Sequence, residues 1–227
     1  MAKTSALPKF IQLSEMLIRE IAAGHLADGA RLPPERDMAD ELGVAVGTLR
    51  KALADVEAKG LLDRVQGSGN YVRHRPAVDS VYAFFRLELL KGGGLPTAKV
   101  LSVDRLAKPA GFARLGGDTQ GHRIRRLRSL DGVQIALEEI WLDGAARDVI
   151  AVSDLSDSLY HFYRHELGVV IAAVEDRIGV DVLPDWTPDA FHLRPGATAG
   201  YIERISWTAT KEPAEFSRTW YDAERAN

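Results

Sequence analysis

The sequence has no cysteine, no long apolar run and little net charge. Without cysteine, the 227-residue chain can form no disulfide framework, thiol nucleophile or cysteine-ligated zinc site. No apolar segment is long enough to span a bilayer, and the beginning MAKTSALPKF lacks the apolar core of a signal peptide. From these absences we expect a cytoplasmic globular protein.

The charge distribution excludes a generally basic surface for nucleic acid. The formal net charge is −3, and residues 1–75 carry 11 Lys and Arg against 10 Asp and Glu. Any binding to nucleic acid must therefore depend on where a few cations are placed, and two copies per site would help.

Residues 31–72 have the pattern of a helix-turn-helix followed by a hairpin. Pro33-Pro34 suits the first turn of a short helix, which a turn at Leu42-Gly43-Val44 would end. A second helix is predicted from Val46 to Lys59, with Gly60 as its stop. Its apolar residues have helical spacing and predict a core-facing side made of Leu49, Ala52, Leu53 and Val56.

The beginning of this second helix is left facing outward. Gly47, Thr48, Arg50 and Lys51 combine a hydroxyl and two cations with the free N–H groups of a helix N-terminus, which suits phosphate. The hairpin that follows, 61–72, turns at Gly67-Ser68-Gly69, where a tip without Cβ atoms can approach a sugar-phosphate backbone.

The flanking segments complete the organisation of this first part. An amphipathic helix is predicted over residues 7–24, packing beneath the second helix. After the hairpin the chain becomes polar and contains a proline, which predicts a linker at 76–82 between domains at 1–75 and 83–227.

The second part alternates strand-like runs with short helices. Helices are predicted at 81–91, around Gly111, and at 156–167 and 188–193, and Asp131-Gly132 is typical of a tight hairpin. Together these elements predict an antiparallel sheet covered by helices, an α+β domain. The strand-like runs are 99–106, 121–130, 133–142, 169–183, 198–208 and 214–221.

The phrases GHLADGARLPPER, LGVAVGTLRKAL and GLLDRVQGSGNYV carry a resemblance. They resemble the winged helix-turn-helix of the GntR family of bacterial transcription regulators. The resemblance implies DNA contacts by Arg36, Thr48, Arg50 and Gly67, with Gly47 close by. The chain departs from the family at Ala45-Val46, where many members have Ser-Arg. This departure removes a helix N-cap worth about 1 kcal/mol and a groove contact.

The second part resembles the UTRA effector domain, which follows the DNA head in one branch of that family and is similar in fold to chorismate lyase. The phrases that carry this resemblance are RIRRLRSLDGVQIALEEIWL, DSLYHFYRHELGV and PAEFSRTWYDAE. An all-helical effector domain does not fit, because the strand-like runs are too many.

Two arginines on an otherwise apolar strand face indicate an effector pocket. Arg126 and Arg128 share a face with apolar neighbours, which is costly unless they are paired or offered an anion. The UTRA resemblance implies effector contacts at Arg126, Arg128, Glu138, Ser158, Glu215 and Tyr221. Cross-strand Arg–Glu pairs that stabilise the sheet without a ligand are the alternative. Members that sense sugar phosphates tend to have a hydroxyl residue near the position of Ala83, so a phosphorylated sugar is less favoured.

We therefore expect a ligand-responsive transcription regulator, a repressor released by a small anionic metabolite, that binds an operator in double-stranded DNA as a homodimer. We expect no catalytic residue and no cofactor, because the sequence has no recognisable nucleophile, base and orienting residue in combination and no Walker-type phosphate loop. We expect no metal site, because His161 and His165 have ligand spacing but no third ligand. Two alternatives stay open at this point. One is a lyase-like enzyme acting on a small carboxylate, and the other is a DNA-binding module without an effector.

Overall fold

The computed structural model describes residues 8–75, 84–112, 115–155 and 157–227. The chain divides into two compact units, one that includes Leu7–Phe85 and Gly93–Leu95 and one that includes Arg86–Gly92 and Pro96–Asn227. The linker expected at 76–82 lies outside the described residues, and the domain boundaries at 1–75 and 83–227 remain predictions.

The first unit contains three helices and a hairpin. Its elements are α1 (Lys9–Ala22), α2 (Glu35–Glu41), α3 (Val46–Ala58), β1 (Leu62–Val65) and β2 (Gly69–Val72). The two strands pair antiparallel, and Leu62 lies opposite Val72. The apolar stripe of α1 packs on α3, as its helical spacing predicts, and the shared core includes Leu17, Ile21, Leu49, Leu53 and Val56.

A buried ion pair also joins α1 to α3. The side chain of Glu15 is 1% exposed, and Lys59 Nζ lies 2.9 Å from its Oε1. Burial acts to lower the pKa of Lys59, but the hydrogen bond to Asp55 and the charge of Glu15 outweigh it and raise the pKa. Loss of the lysine would leave a buried carboxylate without its cation, which costs more than an exposed pair ever contributes.

The second unit is built on one antiparallel sheet of six strands in the order β3-β4-β5-β8-β7-β6. Its helix α4 (Leu159–Phe162) continues directly into a π-helical turn at Tyr163–Leu167. This architecture confirms the α+β fold class. The strands are β3 (Pro96–Ala107), β4 (Gln120–Leu130), β5 (Val133–Asp143), β6 (Ile171–Val182), β7 (Thr198–Thr208) and β8 (Pro213–Tyr221).

Each face of the sheet has its own apolar cluster. On the face covered by α4, strand residues pack against helix residues, and the members include Ile124, Ile140, Leu142, Leu159 and Phe162. On the other face the 183–197 segment covers the sheet, and the members include Leu127, Leu137, Leu183, Phe191 and Trp220. Alternate residues of each strand thus face different cores.

Two of the predicted helices are wrong. The described part of 81–91 is not helical, because its backbone pairs with the end of the chain: Glu88 N–H donates to the carbonyl of Asn227, and Asn227 N–H donates back. Residues 188–193 form turns, in which Phe191 N–H donates to the carbonyl of Pro188. Pairing with the end of the chain thus determines the backbone of the first segment, whereas a local turn that starts at Pro188 forms the second.

Truncation of a central strand residue tests the core. Leu137 on β5 is fully buried, whereas Leu106 on β3 is 38% exposed. Leu137→Ala should destabilise the second unit by about 2–5 kcal/mol, because it removes buried methyl groups and leaves a cavity. Leu106→Ala, the same change on an edge strand, should cost less than about 1 kcal/mol. Chemical denaturation of the full chain measures both, and equal losses would contradict the assigned packing.

Candidate DNA interface and effector site

The N-terminal turn of α3 forms an exposed surface as predicted from the sequence. Gly47, Arg50 and Lys51 are exposed, and Thr48 is half-buried. The N-cap residue Ala45 makes no side-chain capping hydrogen bond, but its carbonyl accepts from Thr48 N–H at 2.8 Å. The N–H groups of Val46 and Gly47, before Thr48, are therefore the ones that can meet an incoming acceptor. On α2, Arg36 is exposed as well.

A carboxylate joins this turn to the hairpin. Glu35 Oε2 lies 2.6 Å from Arg50 Nε, and Glu35 Oε1 lies 2.9 Å from Arg64 Nη2. The hydrogen bond from Arg50 lowers the pKa of Glu35 and outweighs its partial desolvation, and the charges of both arginines act in the same direction. One anionic side chain on α2 thus holds a guanidinium of α3 and another of β1.

The hairpin tip has the features expected of a wing. Gly67 is exposed with φ +77°, a backbone conformation that favours glycine. A side chain at Gly69 would press against the guanidinium of Arg31. The backbone of Arg31 forms an isolated antiparallel β-bridge with Tyr71 of the hairpin. Between the tip and the start of α2 lies a groove of about 510 Å³, lined by residues 31–35 and 64–70.

In the second unit, Arg126 and Arg128 meet a single carboxylate. All three side chains are buried, and Arg126 is opposite Glu138 on the neighbouring strand. Arg126 Nη2 lies 2.6 Å from Glu138 Oε2, and Arg128 Nε lies 3.3 Å from Oε1. Burial acts to raise the pKa of Glu138, but the charges of the two arginines outweigh it and keep the pKa below its ordinary value.

The arginines also contact the segment before α4. Arg128 Nη1 donates to the carbonyl of Asp157 at 2.8 Å, and Arg126 Nη1 donates to the same oxygen at 3.3 Å. Ser158 is buried next to it and caps α4, because its Oγ accepts from His161 N–H at 3.3 Å. Arg126 Nε has no hydrogen-bond partner within the part of the chain that the structure describes. Four of the six predicted effector residues are therefore adjacent in space or sequence.

Glu215 occupies a different position, under two tyrosines. Tyr163 donates a hydrogen bond to Glu215 Oε2 at 2.5 Å, and Ser206 donates to Oε1 at 3.0 Å. Burial raises the pKa of Glu215, and these hydrogen bonds offset only part of that effect. Burial next to this carboxylate also raises the pKa of Tyr163 well above its ordinary value. Each oxygen of Glu215 thus already accepts a hydrogen bond within the unit.

Tyr221 ends β8 and packs over β7. It is opposite Ala136 on one side and Gly200 on the other, where a Cβ atom would collide with its ring. The backbone of Tyr221 lies one row along the sheet from Glu138, because Tyr221 is opposite Ala136 and Thr219 is opposite Glu138.

The rings of His161 and His165 lie 4.3 Å apart, but no group of three or more metal-ligating side chains occurs in residues 8–75, 84–112, 115–155 and 157–227. In the same ranges, no helix has the length and apolar content that a membrane span would need.

The comparisons with known proteins agree with this geometry. Residues 91–227 match the UTRA domain, and residues 11–72 match the family described as bacterial regulatory proteins, gntR family. The chain is a DNA-binding transcription regulator with an effector-binding domain, not an enzyme. It belongs to the GntR family and has a UTRA domain.

Individual relatives extend over nearly the whole chain. The HTH-type transcriptional regulator SmoD of Agrobacterium fabrum is 54% identical over 217 residues, which cover 96% of this chain and 93% of the relative. The HTH-type transcriptional repressor NagR of Bacillus subtilis is 22% identical over 229 residues, which cover 98% of this chain and 94% of the relative.

Solved structures support the fold. The transcriptional regulator YydK from Bacillus subtilis has a TM-score of 0.53 at 23% identity, covering 96% of each chain. The ligand-binding domain of a GntR-family regulator from Bordetella bronchiseptica has a TM-score of 0.57 at 23% identity, covering 64% of this chain and 95% of its own.

Sequence reasoning missed the partners of the expected residues. Glu35 lies 15 residues before Arg50, and Tyr163 lies 52 residues before Glu215. Neither separation has a local signature. The one signal in the sequence was that Glu35 directly precedes Arg36, an expected DNA contact, at the start of α2.

The raised pKa of Glu215 predicts a stability effect with a definite sign. The folded chain binds more protons here than the unfolded chain, so the stability contribution of Glu215 falls as pH rises above its ordinary pKa of 4.5. Glu215→Gln removes this titration, and the melting temperature of the variant relative to wild type should increase as pH rises above 4.5. Thermal unfolding across pH, with the exposed Glu212→Gln as control, measures it. A difference between variant and wild type that stays flat with pH would contradict the assignment.

Proposed function

We propose that this regulator acts in the cytoplasm as a homodimeric repressor, and that a small anionic metabolite bound in the second unit releases it from DNA. The observation that carries this proposal is the buried cluster in which two guanidinium groups face one carboxylate. The proposal has a DNA side and an effector side, which can be tested separately.

On the DNA side, we assign the operator contacts to the exposed residues around the N-terminus of α3 and the hairpin tip. Backbone N–H groups and cations there would bind phosphates, and side chains of the first turn would reach base edges in the major groove. Because the first unit is only mildly basic, one copy would bind weakly, which favours two copies on adjacent half-sites. The assigned residues are Arg36, Gly47, Thr48, Arg50, Lys51 and Gly67.

Glu35 has a role in this interface. Its carboxylate holds Arg50 and Arg64 in place before DNA arrives. Arg50 is 62% exposed, so its pair with Glu35 is screened by water and contributes little stability. A phosphate or a guanine edge can therefore replace Glu35 as the partner of part of the Arg50 guanidinium at a small cost in free energy.

On the effector side, the cluster of Arg126, Arg128 and Glu138 carries one more positive than negative charge. Buried guanidinium groups are costly unless they are paired and hydrogen-bonded, and an incoming anion would supply both charge and acceptors. The forked guanidinium groups fit an oxyanion such as a carboxylate, phosphate or sulfonate. One relative, 25% identical, is named the mannosyl-D-glycerate transport/metabolism system repressor MngR of Escherichia coli, which supports a carbohydrate-derived anion.

We assign effector contacts to the six residues of this face. Ser158 borders the arginine cluster and Tyr221 lies further along the sheet, where their hydroxyl groups would bind hydroxyl groups of the ligand. Glu215 accepts from Tyr163 and Ser206, and its Oε2 has a second lone pair with which it can accept from a hydroxyl group of the ligand. The ligand alters DNA binding only if its affinity differs between the DNA-bound and released arrangements. The contact residues are Arg126, Arg128, Glu138, Ser158, Glu215 and Tyr221.

Removal of Arg50 tests the DNA side. Arg50→Ala should lower affinity for the DNA upstream of the regulator's own gene by about 1–3 kcal/mol, because it removes a groove contact. Gel-shift titration at fixed ionic strength measures the change. Arg194→Ala, an exposed arginine of the second unit, should leave the affinity unchanged. Equal affinities for wild type and Arg50→Ala would remove Arg50 from the interface.

A charge-preserving change tests the effector side. Arg126→Lys keeps the positive charge but loses the forked guanidinium group. The metabolite concentration that releases the protein from DNA should therefore rise by about 10–100-fold. Arg123→Lys is the matched control, because Arg123 lies on the same strand with opposite parity and pairs with Asp104 at 3.0 Å. A thermal-shift panel of carboxylated, phosphorylated and sulfonated sugars against their neutral parents identifies the ligand class. Stabilisation by neutral sugars alone would contradict an anionic effector.

A further inference from the structure

One row of the sheet consists of alternating charges. It runs from β4 to β6 on the face that the 183–197 segment covers in part, and each strand contributes one charged residue. The strand register sets each of these residues directly opposite the next, so arginines and glutamates are cross-strand neighbours. With three arginines and two glutamates, the row has one cation more than it has counter-ions. Its members are Arg125, Glu139, Arg218, Glu203 and Arg177.

The first arginine of the row has a partner on its face and a partner on its edge. Arg125 Cζ lies 4.6 Å from the ring centroid of Trp186. Along its edge, Arg125 Nε and Nη2 lie 2.9 and 2.8 Å from Glu139 Oε2, and Glu139 Oε1 accepts from Trp141 Nε1 at 3.2 Å. Although Glu139 is also opposite Arg218, its one ion pair among the described residues is with Arg125. An aromatic ring and a carboxylate together satisfy this guanidinium.

The second arginine has the aromatic partner but lacks the carboxylate. Arg218 Cζ lies 5.1 Å from the centroid of the Phe112 ring and 6.0 Å from that of Phe216. In the described part of the chain, its one ion-pair neighbour is Glu203, whose Oε2 is 3.7 Å from Nε, too far for a hydrogen bond. Arg218 Nε is buried and has no hydrogen-bond partner within residues 8–75, 84–112, 115–155 and 157–227. A buried donor of this kind needs an explanation.

The excess charge of the row is located at this arginine. Glu203 Oε2 accepts from the Tyr201 hydroxyl at 3.3 Å, and its Oε1 lies 4.0 Å from Arg177 Nη1. The side chain of Arg177 is 73% exposed, so water solvates it and a counter-ion would contribute little. The side chain of Arg218 is 39% exposed, so it loses much of its hydration without gaining an acceptor.

We propose that Arg218 anchors a binding site for a small organic carboxylate. The carboxylate would accept two parallel hydrogen bonds from the guanidinium edge, as Glu139 does from Arg125, and would balance the charge of the row. This site is separate from the effector cluster. Strand alternation places Arg218 on the face opposite to that of its neighbour Thr219, and Thr219 is the residue that lies opposite Glu138.

The surroundings favour an organic anion over an inorganic one. Phe216 is two residues before Arg218 on the same face and lies opposite Ile205 of β7, and both apolar side chains are half-buried. The ring of Phe112 packs against Phe216, with 3.8 Å between their centroids. An apolar group attached to the carboxylate would remove the remaining exposed surface of Phe216 and Ile205 from water, which an inorganic phosphate cannot do.

Benzoate is a suitable probe, because it joins one carboxylate to one apolar ring. Isothermal titration calorimetry of the full chain should show benzoate binding that Arg218→Gln weakens by at least about 10-fold, because the charge-assisted hydrogen bonds are lost. The matched control is Arg194→Gln, which removes an exposed arginine outside the row and should leave the affinity unchanged. Equal affinities of wild type and Arg218→Gln for benzoate would overturn the site.

Two further titrations separate this site from the effector cluster and from simple charge binding. Arg126→Lys should leave benzoate binding at Arg218 unchanged. Loss of benzoate binding in Arg126→Lys but not in Arg218→Gln would place the probe in the effector cluster and overturn the proposal. Acetate and inorganic phosphate should bind wild type about 10-fold more weakly than benzoate, because neither covers the apolar surface. Phosphate that binds as tightly as benzoate would contradict an organic ligand.

Thermal unfolding distinguishes a binding residue from a structural one. Arg125→Gln breaks a complete pair and leaves Glu139 without its cation, so it should lower the melting temperature. Arg218→Gln removes a cation that has no hydrogen-bond partner among the described residues, and should leave the melting temperature close to that of wild type. A loss as large as that of Arg125→Gln would show that Arg218 is structural. In wild type labelled with nitrogen-15, the Arg218 Nε–H resonance, assigned by its absence in Arg218→Gln, should shift with benzoate, and an unchanged resonance would also overturn the site.

Discussion

The structure depends on one electrostatic constraint, the burial of two guanidinium groups in the core of a sheet. Arg126 and Arg128 are each only 4% exposed, and Glu138 supplies a single counter-charge. In a low-dielectric interior an arginine cannot avoid the cost by losing its proton, so the surroundings must supply acceptors. The carbonyl of Asp157 supplies one, which fixes the segment before α4 over the sheet.

The same motif occurs at the surface with different energetics. Glu35 joins Arg50 and Arg64 in the first unit, as Glu138 joins two arginines in the second. Water screens the first group, so its partners can be exchanged at small cost, which suits reversible binding to a polyanion. Little water reaches the second group, so any change in its partners has a large effect on the packing around it, which suits a switch.

Much of this organisation could be predicted from the sequence, because it is local. Helical spacing in α3 predicted which residues are buried and which are exposed, and strand alternation placed Arg126 and Arg128 on one face of β4. Long-range contacts could not be predicted. The segment at 84–91 is not helical because residues at the end of the chain pair with it. Likewise, the tyrosines over Glu215 come from α4 and its π-helical turn, and no periodicity relates them to β8.

The π-helical turn after α4 has a consequence for how this domain can change in length. Such a turn holds one more residue than the corresponding stretch of α-helix. At Tyr163–Leu167 it follows directly after the residues that cover the sheet. Tyr163 belongs to this turn and donates to Glu215, so the extra residue is part of the packing that holds this carboxylate. A deletion of a single residue here would disturb that packing, and the length of this segment is therefore constrained.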